Sequence, residues 1–256
     1  MKSIFSPEGR EVLEQFVWSN VLVAFDFDGT LAPIVAVPER AEMRKRTRAL
    51  LCAATKLLPI VVISGRAQID ARRKLKGADV DGVVGNHGIE PWQANDRLMH
   101  KVAGWRSALD EWLLPLQGVQ IEDKVYSVAI HFRRSREKKR VRASIDSVLA
   151  TLGDVRVIPG KQVVNVLPKS APHKGIALER ERRRLGCDTA IYVGDDRTDE
   201  DVFELDQPGR LLSIRVGATR NSQAAYFIRS QREIDEFLRL VIEFRRRALP
   251  LSRIAR

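Results

Sequence analysis

Apolar and polar positions along the chain follow two different rhythms. Continuous apolar runs at Val21–Phe25, Pro59–Ile63, Gly82–Val84, Thr189–Val193 and Leu211–Val216 are short and rich in Val and Ile. That pattern predicts strands buried on both faces, as in a parallel sheet. Around them, apolar positions recur at helical spacing over Pro7–Val17, Glu39–Leu57, from Arg66 to about Leu75, Lys174–Arg184 and Glu233–Arg247. Strand–helix alternation of this kind is the βαβ rhythm of an α/β sheet.

The rhythm changes near Leu98. A helix over Val102–Leu114 stops at Pro115, and Val119–Glu122 and Tyr126–Phe132 then alternate polar with apolar residues. A basic helical stretch follows at Glu137–Leu149, then strands at Val155–Ile158 and Gln162–Leu167 joined by a turn at Pro159-Gly160. Alternation marks antiparallel strands with one solvated face. The first rhythm returns at Pro172. The fold class read from this is α/β: a parallel-sheet core of residues 1–97 and 172–256, interrupted by a smaller α/β domain over 98–171. An inserted domain enters at loops, here on the sheet edge where ligands bind.

Charge adds a constraint. The net charge of +11 comes from clusters at Arg133–Arg142, Arg180–Arg184 and Arg245–Arg256. None is interleaved with the aromatic residues that stack bases, so no specific nucleic-acid partner is expected. The charge fits attraction of a phosphorylated substrate, or simply a solvated surface. Cys52 and Cys187 lie in no metal or redox spacing, which fits thiols in a reducing compartment. Met1–Gly9 has no apolar signal core, and no run approaches the ~18 apolar residues of a membrane span. A cytoplasmic protein without a membrane partner is the expectation.

Four separated signals carry candidate chemistry. The first strand delivers Asp26 and Asp28 into the turn Gly29-Thr30. Carboxylates at a buried strand end are costly unless a cation or hydrogen bonds hold them, and two this close point to Mg²⁺ and a carboxylate nucleophile. A calcium loop is excluded, because Val37 stands where such a loop needs its glutamate. Ser64, with the amides of Gly65 and Arg66, reads by itself as a helix cap, and in company as an anion site. Lys174 opens a helix, where a cation opposes the macrodipole and asks for an anionic partner; alone it is a solvated lysine. The run Gly194-Asp195-Asp196-Arg197-Thr198-Asp199 ends a buried strand in acids, some of which suit a helix cap. Together, carboxylates from two strand ends, one lysine and one hydroxyl are what magnesium-assisted phosphoryl transfer requires.

This four-part order resembles the haloacid dehalogenase (HAD) superfamily. Within it, Gly85-Asn86-His87-Gly88-Ile89-Glu90, Glu122-Asp123-Lys124, Gly160-Lys161 and Gly194-Asp195-Asp196-Arg197-Thr198-Asp199-Glu200 resemble trehalose-6-phosphate phosphatases. The resemblance implies a HAD-like Rossmannoid core with the insert as a cap, and Mg²⁺-dependent hydrolysis of trehalose 6-phosphate through an aspartyl phosphate. It makes Asp26 the nucleophile, Asp28 the general acid and base, and Lys174 the phosphate clamp. The metal ligands would be the carboxylates of Asp26 and Asp195 and the carbonyl of Asp28, supported by Asp196 and Asp199. Substrate contacts would come from Ser64, Gly65, Arg66, Asn86 and His87, and on the insert from Glu122, Lys124 and Asn165. Asn165 departs from the pattern, since the family usually has glutamate there. A phosphorylated disaccharide is the expected partner. The alternatives are a phosphatase for another sugar phosphate, or a non-catalytic basic binding protein on the same scaffold. By composition alone, Glu122 and Lys124 would be a surface ion pair.

Overall fold

The computed structural model describes residues 1–160, 162–205 and 207–252. Lys161, and the last residues of the basic Arg245–Arg256 stretch, lie outside these. In chain order the elements are β1 (Lys2–Ser3), α1 (Pro7–Trp18), β2 (Val21–Phe25), α2 (Lys45–Ala54), β3 (Ile60–Ile63), α3 (Gln68–Lys74), β4 (Gly82–Val84), α4 (Asp96–Leu113), β5 (Gln120–Asp123), β6 (Val128–His131) and α5 (Lys138–Thr151). They continue as β7 (Val155–Gly160), β8 (Val163–Pro168), α6 (Lys174–Arg184), β9 (Thr189–Gly194), α7 (Glu200–Phe203), β10 (Leu211–Val216), β11 (Tyr226–Ile228) and α8 (Ile234–Ser252).

Seven parallel strands form the first sheet in the order β1-β11-β10-β9-β2-β3-β4. Its central strands bury alternate side chains on opposite faces, as the period of two demands. Val21, Val23, Phe25, Ile191 and Val193 belong to one apolar cluster with Phe237 and Leu238 of α8. Leu22, Ala24, Ala190 and Tyr192 belong to another with Ala177 and Leu178 of α6. Both faces are dry, which is why these strands read as unbroken apolar runs. The register pairs Phe25 with Val193 and with Val62. The C-terminal ends of β2, β3 and β9 therefore lie side by side, and Asp26, Ser64 and Asp195 leave the sheet at one edge.

The second sheet is antiparallel, β5-β6-β8-β7, and its strands all fall between β4 and β9 in the chain. Val128, Ile130, Val164 and Val166 pack on Val102, Leu109 and Leu113 of α4 and Ile145 and Leu149 of α5. The opposite face presents Gln120, Glu122, Ala129, His131 and Asn165, which the register sets beside one another. This is the one-sided burial that the alternation predicts.

Several boundaries differ from the sequence reading, each for a local reason. Pro38–Arg40 form a separate 3-10 turn and Ala41 is extended, so α2 begins only at Lys45. Asn95 caps α4 by accepting from the Leu98 amide at 3.0 Å, which starts that helix well before Val102. Pro159 and Gly160 lie inside β7 rather than in a turn, and Gln162, at φ 65°, belongs to the reversal. β7 is an edge strand, where proline's missing donor is tolerated. The short outer strands β1 and β11 carry too little pattern to be read.

The two faces of the second sheet should respond differently to substitution. Ile145→Ala, which empties a fully buried site, should lower the unfolding free energy by about 2–5 kcal/mol in denaturant titration. Gln120→Ala on the solvated face should change it by no more than ~0.5 kcal/mol.

Candidate active site

Every functional side chain of the first sheet comes from its C-terminal edge. At the centre, the Lys174 ammonium lies 2.8 Å from Asp26 Oδ1 and 2.7 Å from Asp199 Oδ1. All three are buried, Asp199 and Lys174 almost wholly. Asp199 is held from both sides: the Tyr192 hydroxyl donates to Oδ1 at 2.7 Å and the Asp196 amide to Oδ2 at 2.8 Å. Asp196 in turn accepts from the Arg197 amide at 2.7 Å and caps the short 3-10 turn that carries Asp199. The dipole objection to a lysine at a helix start is thus met by two carboxylates.

Asp195 closes the group. Gly29, at φ 85°, brings the backbone against it so closely that a Cβ there would overlap the carboxylate. Oxygens of Asp26, Asp195 and Asp199 all lie within 4.8 Å of one another. Three carboxylates crowd around one ammonium, which is bonded to Asp26 and Asp199. Burial is the main force raising the Asp26 pKa to about 7 and the Asp195 pKa to about 9; neighbouring carboxylates add to it and Lys174 only partly offsets it. The surplus negative charge, and an all-oxygen donor set, fit a hard divalent cation.

Asp28 points elsewhere. Arg66 holds it with two parallel bonds, Nε to Oδ2 at 2.6 Å and Nη2 to Oδ1 at 2.7 Å. The same guanidinium bonds Asp70 at 2.6 Å and the Pro38 carbonyl at 2.8 Å, and lies over the Phe27 ring. Such a fork is strong and directional.

These groups form the floor of a cavity of about 550 Å³ whose opposite wall is the polar face of the second sheet. There Glu122 bonds His131 Nε2 at 2.8 Å across neighbouring strands. Burial opposes ionisation of Glu122, but His131 and Lys124 outweigh it and lower its pKa. Lys124 bridges the two sheets, donating to the Gly65 carbonyl at 3.0 Å and to Asn165 Oδ1 at 3.3 Å. Ile34–Glu39, from the loop after β2, complete the rim, and Arg133 reaches across it to the carbonyls of Val35 and Ala36.

A family model described as trehalose-phosphatase matches residues 24–232. The chain belongs to that family. A probable trehalose-phosphate phosphatase D of Arabidopsis thaliana is 28% identical over 94% of this chain and 72% of its own length. Among solved structures, the C-terminal domain of a C. albicans trehalose-6-phosphate phosphatase superposes with TM-score 0.76 at 23% identity, covering 91% of this chain and 97% of that one. A sucrose-phosphatase from Synechocystis, solved with sucrose and phosphate, superposes with TM-score 0.55 at 16% identity, covering 88% and 98%. At these identities the two structures speak to the fold. The HAD-type parallel core expected of a trehalose-phosphatase is present.

Of the residues expected to form the site, Asp26, Asp28, Gly65, Arg66, His87, Glu122, Lys124, Asn165, Lys174, Asp195 and Asp196 border this one cavity. Three do not. Ser64 is buried and its hydroxyl accepts from the Arg66 amide at 3.2 Å; α3 begins only at Gln68, so Ser64 is not its cap. The Asn86 side chain is spent within the protein, on Glu90 at 2.7 Å, on the Lys124 carbonyl at 3.0 Å and on the Ser127 hydroxyl. Asp199 lies behind Lys174. Sequence reasoning missed Tyr192 and His131. The signal for Tyr192 was a lone hydroxyl in a strand buried on both faces, which requires a partner. His131 stands on the wet face of an alternating strand, but nothing local names its partner across the ladder.

The carboxylate surplus has a measurable consequence. With raised native pKa values, Asp26 and Asp195 bind more protons folded than unfolded between about pH 4 and 9, so their contribution to stability falls as pH rises through that window. In chelator, Tm should fall between pH 6 and pH 8; Mg²⁺ should restore it at pH 8, and Asp195→Asn should flatten the slope. A wild-type Tm indifferent to both pH and Mg²⁺ would contradict the reading.

Proposed function

We propose that this protein hydrolyses trehalose 6-phosphate to trehalose and phosphate at this cavity, with Mg²⁺ as cofactor. The observation that carries the proposal is the buried Asp26–Lys174–Asp199 group, which offers one carboxylate oxygen at the floor of a cavity roofed by Glu122, His131 and Asn165. In this reading residues 98–171 act as the cap, which recognises the sugar, and the remainder does the chemistry.

Asp26 attacks phosphorus in line, forming an aspartyl phosphate as the ester bond to the sugar oxygen breaks. Asp28 protonates the departing oxygen, then takes a proton from the water that hydrolyses the intermediate. To do so it must leave the Arg66 fork, and its side chain, 39% exposed, faces the opening where that exchange can occur. Lys174 holds Asp26 in place and sets positive charge beside the phosphoryl oxygens. Mg²⁺ would be held by the carboxylates of Asp26 and Asp195 and the carbonyl of Asp28, and supplies charge against the transferring group when bound. Asp199, with both oxygens occupied, orients Lys174.

Glu122, Lys124 and Asn165 read the sugar through directional polar contacts. A second reading, hydrolysis of a different sugar phosphate, is favoured by Asn165, an uncharged amide on the cavity wall. A purely binding protein fits less well, because a buried array of like charges costs stability that binding alone does not require. A cytoplasmic setting belongs to the same proposal. Both thiols are unpaired, and among the described residues no helix is long and apolar enough to cross a membrane.

Asp26→Asn should reduce phosphate release to background while Tm in chelator holds or rises, since one of three like charges is gone. Turnover by this variant, with the substitution verified by mass after the assay, would sink the assignment. Glu122→Ala should lower kcat/KM for trehalose 6-phosphate roughly 5- to 150-fold, the equivalent of about 1–3 kcal/mol for an unpaired buried hydroxyl, and leave hydrolysis of para-nitrophenyl phosphate nearly unchanged. A panel of trehalose, sucrose, glucose and mannose phosphates identifies the sugar; preference for any but the first overturns the substrate and keeps the chemistry.

A further inference from the structure

The carboxylate that closes the acidic group is the one least held by its own bonds. Asp26 accepts from Lys174 at 2.8 Å. Asp199 accepts from Lys174, from the Tyr192 hydroxyl and from the Asp196 amide. Among the described residues, the Asp195 carboxylate accepts one hydrogen bond, from the Thr30 hydroxyl at a long 3.5 Å. Its oxygens lie within 4.8 Å of two other carboxylates, and like charges push it outward. Its place against that push is set by the backbone that carries it.

Arg215 holds that backbone. It is the residue of β10 that the register sets beside Gly194, where β9 ends. Its Nη2 donates to the Asp195 carbonyl at 2.7 Å, and its Nη1 to Glu200 Oε1 at 2.7 Å and to the Asp196 carbonyl at 3.3 Å. The other oxygen of Glu200 accepts from the Gln223 amide at 2.9 Å. Both partners of the ion pair are largely buried, at 16% and 17% exposed. One planar guanidinium thus joins the end of β10, the turn after β9 and the first residue of α7. A fork of this kind fixes direction as well as distance. An ion pair alone would need only Glu200; the two carbonyl bonds tie it to the residue whose side chain faces Asp26. Arg215 does not border the cavity itself.

We propose that Arg215 is a positioning residue for the divalent cation: by clamping the carbonyls of Asp195 and Asp196, with Glu200 as its counter-charge, it keeps the Asp195 carboxylate beside Asp26. The inference rests on reading the acidic group as a Mg²⁺ site, and not on which phosphate ester the cavity takes. Charge and position predict opposite signs here. Arg215 is a cation near a site for a cation, so by charge alone its removal would tighten Mg²⁺ binding. Acting by position, its removal weakens binding, because residues that orient metal ligands are worth about 10- to 100-fold in affinity.

The test is Mg²⁺ binding by the full chain, followed by calorimetry without substrate and well below the Tm of each variant. Arg215→Met should weaken binding about tenfold or more. Arg215→Lys keeps the charge but puts one ammonium where the fork spans three acceptors, and should weaken it by more than about threefold. Arg245→Met is the control. It removes another arginine that holds two carbonyls, those of Val17 and Ser19 at the opposite edge of the sheet, and should lower Tm while keeping the parental Mg²⁺ affinity. Unchanged or tighter binding in a folded Arg215→Met protein overturns the proposal, as does an equal loss in Arg245→Met. Parental affinity in Arg215→Lys overturns it too, and that variant decides alone should the Met protein not fold. A parent that binds no Mg²⁺ removes the metal reading and this proposal with it; a parent that binds Mg²⁺ no better than the Arg215 variants removes this proposal alone.

Discussion

One buried ammonium organises the site. Lys174 lies between two carboxylates, in surroundings where an unpaired charge of either sign would be expensive. Removing the lysine would leave Asp26 and Asp199 facing each other and Asp195; removing the acids would strand a cation at a helix start. The geometry of the nucleophile is therefore set by charge balance rather than by packing. The Tyr192 hydroxyl and the Asp196 amide tie the same balance to β9 and to the turn after it, so that a side chain from α6 and a side chain from β2 meet in one arrangement. The remaining negative charge is what makes the site receptive to a cation and to the phosphoryl chemistry that follows.

A second constraint ties floor to roof. Lys124 belongs to the second sheet but donates to the Gly65 carbonyl of the first, and its own carbonyl accepts from Asn86. Asn86 thereby serves the cavity without touching it. Its amide fixes the turn that carries His87 and the segment that carries Lys124. The polar wall of Glu122 and His131 is thus held opposite Asp26 by a few directional bonds and a small apolar cluster of Ile89, Leu167 and Ala171, since the large apolar clusters stay within each sheet and its helices.

Much of this was legible in the chain itself. Unbroken apolar runs identified the parallel strands because both faces of that sheet are dry, and alternation identified the second sheet because only one of its faces is. Asp26, Lys174 and Asp195 were readable because charged residues at the ends of such strands and helices need partners. What escaped had no local signature. The fork between Arg66 and Asp28, the pairing of His131 with Glu122 and the tyrosine behind Lys174 are set by register and by side-chain reach between distant segments. The engagement of Asn86 with Glu90, the Lys124 carbonyl and Ser127 escaped for a related reason: a motif names residue types together but does not say which of them face the solvent. The turn expected at Pro159-Gly160 failed because those residues signal a reversal only where the strand is not an unpaired edge.

The order of strands in the parallel sheet also bears on how the molecule assembles. β2 lies between β3 and β9, so one neighbour follows closely in the chain and the other arrives only after the whole antiparallel sheet has been made. Loop closure over such a separation is entropically slow, and non-local parallel pairing is the step that limits folding of such topologies. The antiparallel sheet, built from consecutive elements, forms through local contacts and shortens the effective loop. Until β9 docks, β2 carries an open edge of apolar residues, the kind of surface that invites association with other chains. Docking of β9 closes that edge of β2 and in the same movement delivers Asp195 and Asp199 to Asp26 and Lys174, so the central pairing of the sheet and the assembly of the site are one and the same event.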